Sequence, residues 1–379
     1  MKLFRKKRMS VLIIWTLIFS FSTAWFIQPA AAEERRSHAF VDSLGIRNEA
    51  VNFYYYEQLP AEDKQVYEAM YRVASRPGTT DFVVTLPVAW DVSDNAQWVN
   101  HYWKVEWAIS YDHPELWWID PANGTYRLYV TYSTVANADG THDIYIRMNK
   151  AYPNAEKDIA AFNQAAESLL AKVDKNAGEE SIARQVHDLL LETVTYNNRV
   201  FEDQSGDLAR TAYSALVCDS QGTPHASLCS GYAKAYQYLL QQLGMETVVV
   251  EGMASSMGGE YIGHVWNVVK INGSWREVDV TWDDSLSEYA QSLYLTLSTS
   301  DNRYTLFYEA AHDADFMDKV SHTLFMLKTS EISSLNKQMR YTASNGYYWD
   351  WQHYSNRYRF SESDPQSVDG LLMAMAPIA

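Results

Sequence analysis

Apolar residues recur at helical spacing in four stretches of the first half of the chain, residues 61–74, 95–110, 154–173 and 179–194. Trp98, Tyr102, Val105 and Ile109 mark one such face. Between these stretches, residues 82–86, 126–132 and 143–148 alternate apolar with polar side chains, the period of a half-buried strand. A further helical face follows at Tyr232, Ala233, Tyr236, Leu239, Leu240 and Leu243, with Gly244 as its C-terminal stop. Residues 265–271 and 274–280 read as two strands separated only by Asn272-Gly273, the strongest short hairpin signal. The interleaving predicts an α+β fold.

The hairpin carries chemistry once its register is worked out. With a two-residue loop, paired positions sum to a constant, so Ile271 faces Ser274, Trp266 faces Asp279 and His264 faces Thr281. Period two then puts His264, Trp266, Asp279 and Thr281 on one sheet face. His264 and Asp279 become diagonal neighbours, roughly 7–8 Å apart at their backbones, close enough for a hydrogen bond between these side chains.

About 35 residues before His264 lies Cys229, at the first turn of the predicted helix. Unpaired backbone N–H groups and the positive end of the helix dipole favour a thiolate there, the nucleophilic form of cysteine. Ser230 and Gly231 are small and are expected to leave room for a substrate carbonyl. Thiol, imidazole and carboxylate in this order are candidates for nucleophile, base and orienting acid. Helix-start N–H groups, that of Cys229 included, are the natural oxyanion donors. Trp266 and Tyr232 are candidates for the walls of the substrate cleft.

The runs Cys229-Ser-Gly-Tyr-Ala, His264-Val-Trp-Asn and Asp279-Val-Thr-Trp-Asp make the segment from about 211 to 284 resemble the transglutaminase-like superfamily, in particular its bacterial members. Ala212-Tyr213-Ser214-Ala215-Leu216 is similar to the short element that precedes the nucleophile in that family, and Leu293-Tyr294-Leu295 to the strand that follows. The stretch from Tyr111 to Trp118 resembles an upstream element whose role is packing. The resemblance implies a papain-like arrangement, a nucleophile helix packed on an antiparallel sheet that bears His and Asp. It implies Cys229 as nucleophile, His264 as general base and Asp279 as orienting acid. The activity implied is acylation of the thiol by a glutamine or other amide of a protein or peptide, resolved by a primary amine (transamidation) or by water (peptidase or amidase). A surface binding module of the same fold, without turnover, is the alternative.

Two features depart from the family pattern. Val265 stands where alanine is usual. The link Cys218-Asp-Ser-Gln-Gly-Thr-Pro-His225-Ala-Ser-Leu228 is several residues longer than usual, carries a second thiol and a second imidazole, and is expected to border the cleft. With only two cysteines the chain is no disulfide scaffold. A Cys218–Cys229 bridge would silence the nucleophile, and the helix-opening position of Cys229 suits a thiolate better.

Lys2, Arg5, Lys6, Lys7 and Arg8 precede an apolar stretch from Met9 to Ile27 and the small residues Ala30-Ala31-Ala32, the layout of a secretory signal with cleavage after Ala32. The stretch is close to membrane-spanning length, so an uncleaved anchor is the alternative, and membrane association is expected only if the leader is retained. Hydrophobic residues make up 47% of the 379, enough for a sizeable core. The net charge of −16, more negative still without the leader, disfavours nucleic acid as a partner and fits amine-bearing partners outside the cell. The expected organisation is a leader over 1–32, an α+β region over 33–152, the transglutaminase-like core over 153–315 and an aromatic-rich extension over 316–379.

The aromatic run Tyr347-Tyr348-Trp349-Asp350-Trp351, with Tyr354 and Tyr358, is read as a packed strand rather than a ligand platform. His113, His187 and His312 lack partners at metal-ligand spacing, and Asp283-Asp284 lies in no dense acidic loop. No metal and no cofactor are therefore expected.

Overall fold

The computed structural model describes residues 53–76, 81–88, 90, 95–118, 130–148, 155–198, 208–360 and 376–379. The leader at 1–32 lies outside these residues, as does the 126–129 part of one expected strand. Among the described residues no helix is long and apolar enough to cross a membrane.

The N-terminal part consists of helices α1 (Tyr54–Gln58), α2 (Ala61–Ala74) and α3 (Asn95–Asp112) with strands β1 (Asp81–Leu86), β2 (Val130–Ala136) and β3 (His142–Met148). The strands form an antiparallel sheet in the order β1-β3-β2. Then follow α4 (Ala155–Leu170), α5 (Glu179–Thr193), strand β4 (Thr195–Tyr196), a 3-10 turn (Leu208–Arg210), α6 (Ala212–Leu216), β5 (Ala226–Ser227) and α7 (Cys229–Gln242). Strands β6 (Thr247–Ser256), β7 (Ile262–Ile271) and β8 (Ser274–Val278) lead into α8 (Val280–Ser292) and a second 3-10 turn (Leu293–Thr296). Helices α9 (Asn302–His312), α10 (Ala314–Ser321) and α11 (Thr329–Ser333) precede β9 (Ser334–Thr342) and β10 (Tyr348–Arg359). The segment at Leu293, expected as a strand, is a 3-10 turn.

The main sheet runs β8-β7-β6-β10-β9, so the C-terminal hairpin extends the sheet that carries His264. Its β10 alternates strictly: Trp351, His353, Ser355 and Arg357 are buried, while Tyr348, Tyr354 and Tyr358 are exposed. Gly252 permits this pairing, because a Cβ there would lie 2.0 Å from the carbonyl oxygen of Tyr358. The β7–β8 turn has φ of 49° at Asn272 and 78° at Gly273, the two positive values that a type I′ hairpin needs.

The N-terminal helices dock on α7 and the sheet through one continuous apolar core, from Tyr55, Met70 and Trp117 to Tyr236, Leu239 and Val249. Polar ties fix the docking. Gln237 and Gln241 on α7 donate to the carbonyls of Tyr111 (2.7 Å) and Asp112 (3.1 Å), and the Tyr55 hydroxyl donates to the carbonyl of Val249 (3.1 Å). The buried Asp112 carboxylate in turn accepts from the backbone N–H groups of Tyr55 and Tyr56 and from the Tyr67 hydroxyl. The stretch from Tyr111 to Trp118 is buried throughout and does structural work.

Candidate active site

Cys229 is the first residue of α7, preceded by the extended Leu228. Leu228 is tied down at both ends: its N–H donates to the carbonyl of Ala209 (2.8 Å), and its carbonyl accepts from Gly231 and Tyr232. Cys229 is half-buried and its thiol is free. Gly231 does not serve substrate approach as the sequence suggested. A Cβ at this position would lie 2.0 Å from Ser227 Oγ and 2.7 Å from the carbonyl of Thr211, so its hydrogen lets the first turn seat against the preceding loop.

The hairpin register agrees with the arithmetic as far as Asn267↔Val278, where the ladder ends. Asp279 and Thr281 are not strand residues: Asp279 leaves the sheet as the N-cap of α8, its Oδ1 accepting the N–H of Trp282 (3.1 Å). The cap turns the carboxylate toward His264, and Oδ2 lies 2.8 Å from His264 Nε2. That leaves Nδ1 as the imidazole nitrogen for the Cys229 thiol, which is hydrogen-bonded to this ring. His264 is 3% exposed and Asp279 is fully buried.

A fourth residue completes the arrangement. Arg357, on the inward face of β10, donates from Nη1 to Oδ2 of Asp279 at 2.7 Å. Its guanidinium also lies over the rings of Trp282 (4.6 Å) and Trp266 (5.2 Å). Nothing in the motif spacing pointed to it; the available signal was an arginine pair, Arg357 and Arg359, in phase with the buried positions of an alternating strand.

These neighbours set the charges. Burial disfavours the Asp279 carboxylate, but the adjacent His264 and Arg357 outweigh it and hold the carboxyl well below its usual range. Burial likewise opposes a charged His264, yet Asp279 and the Cys229 thiol raise the ring from 6.5 to about 9. For Cys229, burial pushes the thiol up, while the hydrogen bond and charge of His264 and the charge of Arg210 pull it below its ordinary 9.0. Both shifts favour a thiolate beside an imidazolium, next to a carboxyl held in its ionised form.

A cleft of about 400 Å³ opens beside the pair. Tyr196, Leu228, Ile262, Val265 and Phe360 give it apolar walls, and Arg210 and Glu251 supply one charge of each sign. Trp266 and Tyr232 are behind these walls rather than in them. Trp266, 2% exposed, stacks against His264 and donates from Nε1 to Glu277 (2.6 Å). Tyr232 is fully buried, its hydroxyl donating to Asp284 Oδ2 (2.6 Å). Both support the site through packing.

The longer link around Cys218 folds into a compact turn. Asp219 accepts from the N–H groups of Gln221 and Thr223 and from Asn197 Nδ2, and His225 Nδ1 donates to the carbonyl of Ala215 (3.1 Å). Both cysteines are free thiols, so no Cys218–Cys229 bridge closes. The turn reaches the cleft only at its end, Leu228. Asp283 and Asp284 have protein partners: Asp283 accepts from the N–H of Leu324 (2.8 Å), and Asp284 accepts from Tyr232.

Residues 164–280 match the sequence model of the transglutaminase-like superfamily. Kyphoscoliosis peptidases of Mus musculus and Homo sapiens are 31% and 30% identical over 98 residues, which is 24% of this chain. The chain spans 14% of the length of these curated relatives. A solved structure of a TGase is similar at 13% identity and a TM-score of 0.28, over 40% of this chain and 43% of that one. Residues 164–280 thus form a transglutaminase-like domain in an α+β fold, within a superfamily that typically comprises cysteine enzymes.

Proposed function

We propose that the protein is an exported cysteine acyltransferase that forms a thioester between Cys229 and a glutamine or other amide carbonyl of a protein substrate. The reading is carried by one observation: a thiol depressed below its ordinary value at a helix start, hydrogen-bonded to an imidazole whose other nitrogen is held by a buried carboxylate. The thiolate attacks the carbonyl carbon, and charge on the carbonyl oxygen is met by the N–H of Cys229, which has no carbonyl behind it within the helix. The C–N bond breaks as His264 gives its Nδ1 proton to the departing nitrogen, leaving the thioester and a neutral ring. A primary amine or water then attacks, His264 takes its proton, and the C–S bond breaks to restore the thiolate. Asp279 keeps its hydrogen bond to Nε2 throughout.

Resolution by water is the second reading, supported by the peptidase name of the 98-residue relatives. Export rests on the basic, apolar and small-residue sequence of residues 1–32.

The test uses the reduced, leaderless chain with a glutamine-rich protein and a fluorescent primary amine. Label incorporation that is lost in Cys229→Ala, in His264→Ala and after iodoacetamide is the expected result. Ammonia release or peptide cleavage without label assigns water as the acceptor. Absence of both, with no selective alkylation of Cys229, overturns the enzyme reading in favour of a binding module.

A further inference from the structure

His187, expected to be unrelated to any metal, meets a second histidine outside the cleft. His187 and Asp188 on α5 meet His322, just past α10, with one ligand atom from each lying within 4.8 Å of the others. Asp188 Oδ1 is 3.1 Å from His187 Nδ1 and 2.8 Å from His322 Nε2. Adjacent ligands of a tetrahedral zinc ion, at its usual bond lengths, are ~3.3 Å apart, so both separations from Asp188 suit a shared ion.

The far nitrogens explain why the near ones converge. His322 Nδ1 lies 2.7 Å from the carbonyl of Asp318, an oxygen that can only accept, so this nitrogen carries the proton. His187 Nε2 lies 3.2 Å from Oδ2 of the buried Asp283, which fixes its proton there. Each imidazole is then oriented by an acceptor behind it and offers a lone pair at the opposite nitrogen, the arrangement found around metal-bound histidines. Without an ion, a protonated His187 donates to Asp283 and Asp188 alike, so the ion would displace a proton from the shared oxygen's side. His187 is buried and His322 is 11% exposed at its side chain, whereas Asp188 is 41% exposed, which supplies an entry path and room for a water as fourth ligand. Arg184 contacts Asp188 at 3.8 Å and is also paired with Asp318, which offsets its charge.

We propose that His187, Asp188 and His322 bind a divalent transition ion, zinc foremost, as a structural brace. Two imidazoles and a carboxylate favour such an ion over calcium or magnesium. The brace would join α5 to the loop after α10. That loop holds the acid of the site: the Leu324 carbonyl accepts the N–H of Asp279 (3.1 Å), and the Leu324 N–H donates to Asp283 (2.8 Å). The inference does not depend on the acyl-transfer reading, because its readouts are metal content and stability.

Cys229→Ala in the otherwise complete chain keeps the thiol from competing for metal. The experiment measures bound metal after dialysis against zinc, the visible spectrum after cobalt loading, and the unfolding midpoint with and without zinc. One equivalent of metal, four-coordinate cobalt bands and a midpoint raised by zinc are expected. His322→Ala and Asp188→Asn, both at the accessible side, are expected to weaken zinc at least about 100-fold, since loss of an outer-shell partner alone costs 10–100-fold. Their circular dichroism without metal reports whether they fold. Less than a tenth of an equivalent bound with no zinc-dependent midpoint overturns the site, and so does binding that folded His322→Ala and Asp188→Asn retain in full.

Discussion

Arg357 donates from Nη1 to Oδ2 of Asp279 at 2.7 Å, across 78 residues of chain, with both side chains almost fully removed from water. The same oxygen takes the hydrogen bond from His264, so the C-terminal strand helps to fix the acid that orients the imidazole.

Removing that cation leaves the buried carboxylate with His264 and the Trp282 N–H as its partners. Arg357→Met is expected to destabilise the protein in urea unfolding by less than the roughly 3–5 kcal/mol of a buried charge left without any partner. Arg357→Lys should recover only part of the loss, because an ammonium cannot also lie flat over Trp266 and Trp282 as the guanidinium does.

The ion pair is readable in alkylation kinetics. The rate of Cys229 alkylation by iodoacetamide should rise with pH around a midpoint below 9.0, because His264 and Arg210 both favour the thiolate. His264→Ala should move that midpoint upward, and Arg210→Gln should move it upward by less. Cys218, whose thiol burial raises above 9.0, should react more slowly at neutral pH.

Stability against pH separates the two partners. A ring raised to about 9 contributes stability that is fully present below pH 6.5 and lost as pH climbs through about 9. A depressed thiol does the opposite, contributing at high pH and losing its contribution as pH falls through the folded value. Where the pair is thiolate and imidazolium, the folded protein holds the histidine proton and the unfolded chain holds the thiol proton, so the counts cancel and the profile is flat. Cys229→Ala removes one side. Its unfolding free energy should fall as pH rises from 6.5, over a window that closes below about 9 because only Asp279 still raises the ring, with a slope of at most about 1.4 kcal/mol per pH unit. A flat profile in that variant would remove the raised imidazole.

Gly231→Ala sets helix propensity against packing. Alanine is favoured over glycine inside a helix by about 1 kcal/mol. Here the new methyl meets Ser227 Oγ and a backbone carbonyl at 2.0 and 2.7 Å, and the backbone cannot swing away as a side chain can. Overpacking of about 1–3 kcal/mol or more should win. The denaturation midpoint should fall and alkylation of Cys229 should change with it.

Trp266 distinguishes support from substrate contact. Trp266→Phe removes the hydrogen bond to buried Glu277, so it should lower the melting temperature while leaving KM for the amide substrate nearly unchanged. Ile262→Ala, in the cleft wall and 56% exposed, should raise KM with little change in melting.

Local physics made much of this legible in the chain itself. Helical periodicity placed α2, α3, α4 and α5 to within a few residues, because each buries one face and repeats its apolar side chains accordingly. Asn272-Gly273 fixed the hairpin register, since few other residue pairs accept two positive φ angles. Ordered motifs pointed to Cys229, His264 and Asp279 as one site. Tertiary structure decided the rest. Asp279 became a helix cap because the strand ends at Val278, an ending set by packing and not by any signal of period two. Gly231 turned out to serve a close approach between α7 and a loop about twenty residues earlier, and Trp266 and Tyr232 turned out to be buried behind the cleft walls. Arg357 reached Asp279, and His322 reached His187 and Asp188, only through strand order and helix docking. Pairings of that kind join residues 78 and more positions apart, and the sequence spacing of such residues carries no trace of the contact that burial makes worthwhile.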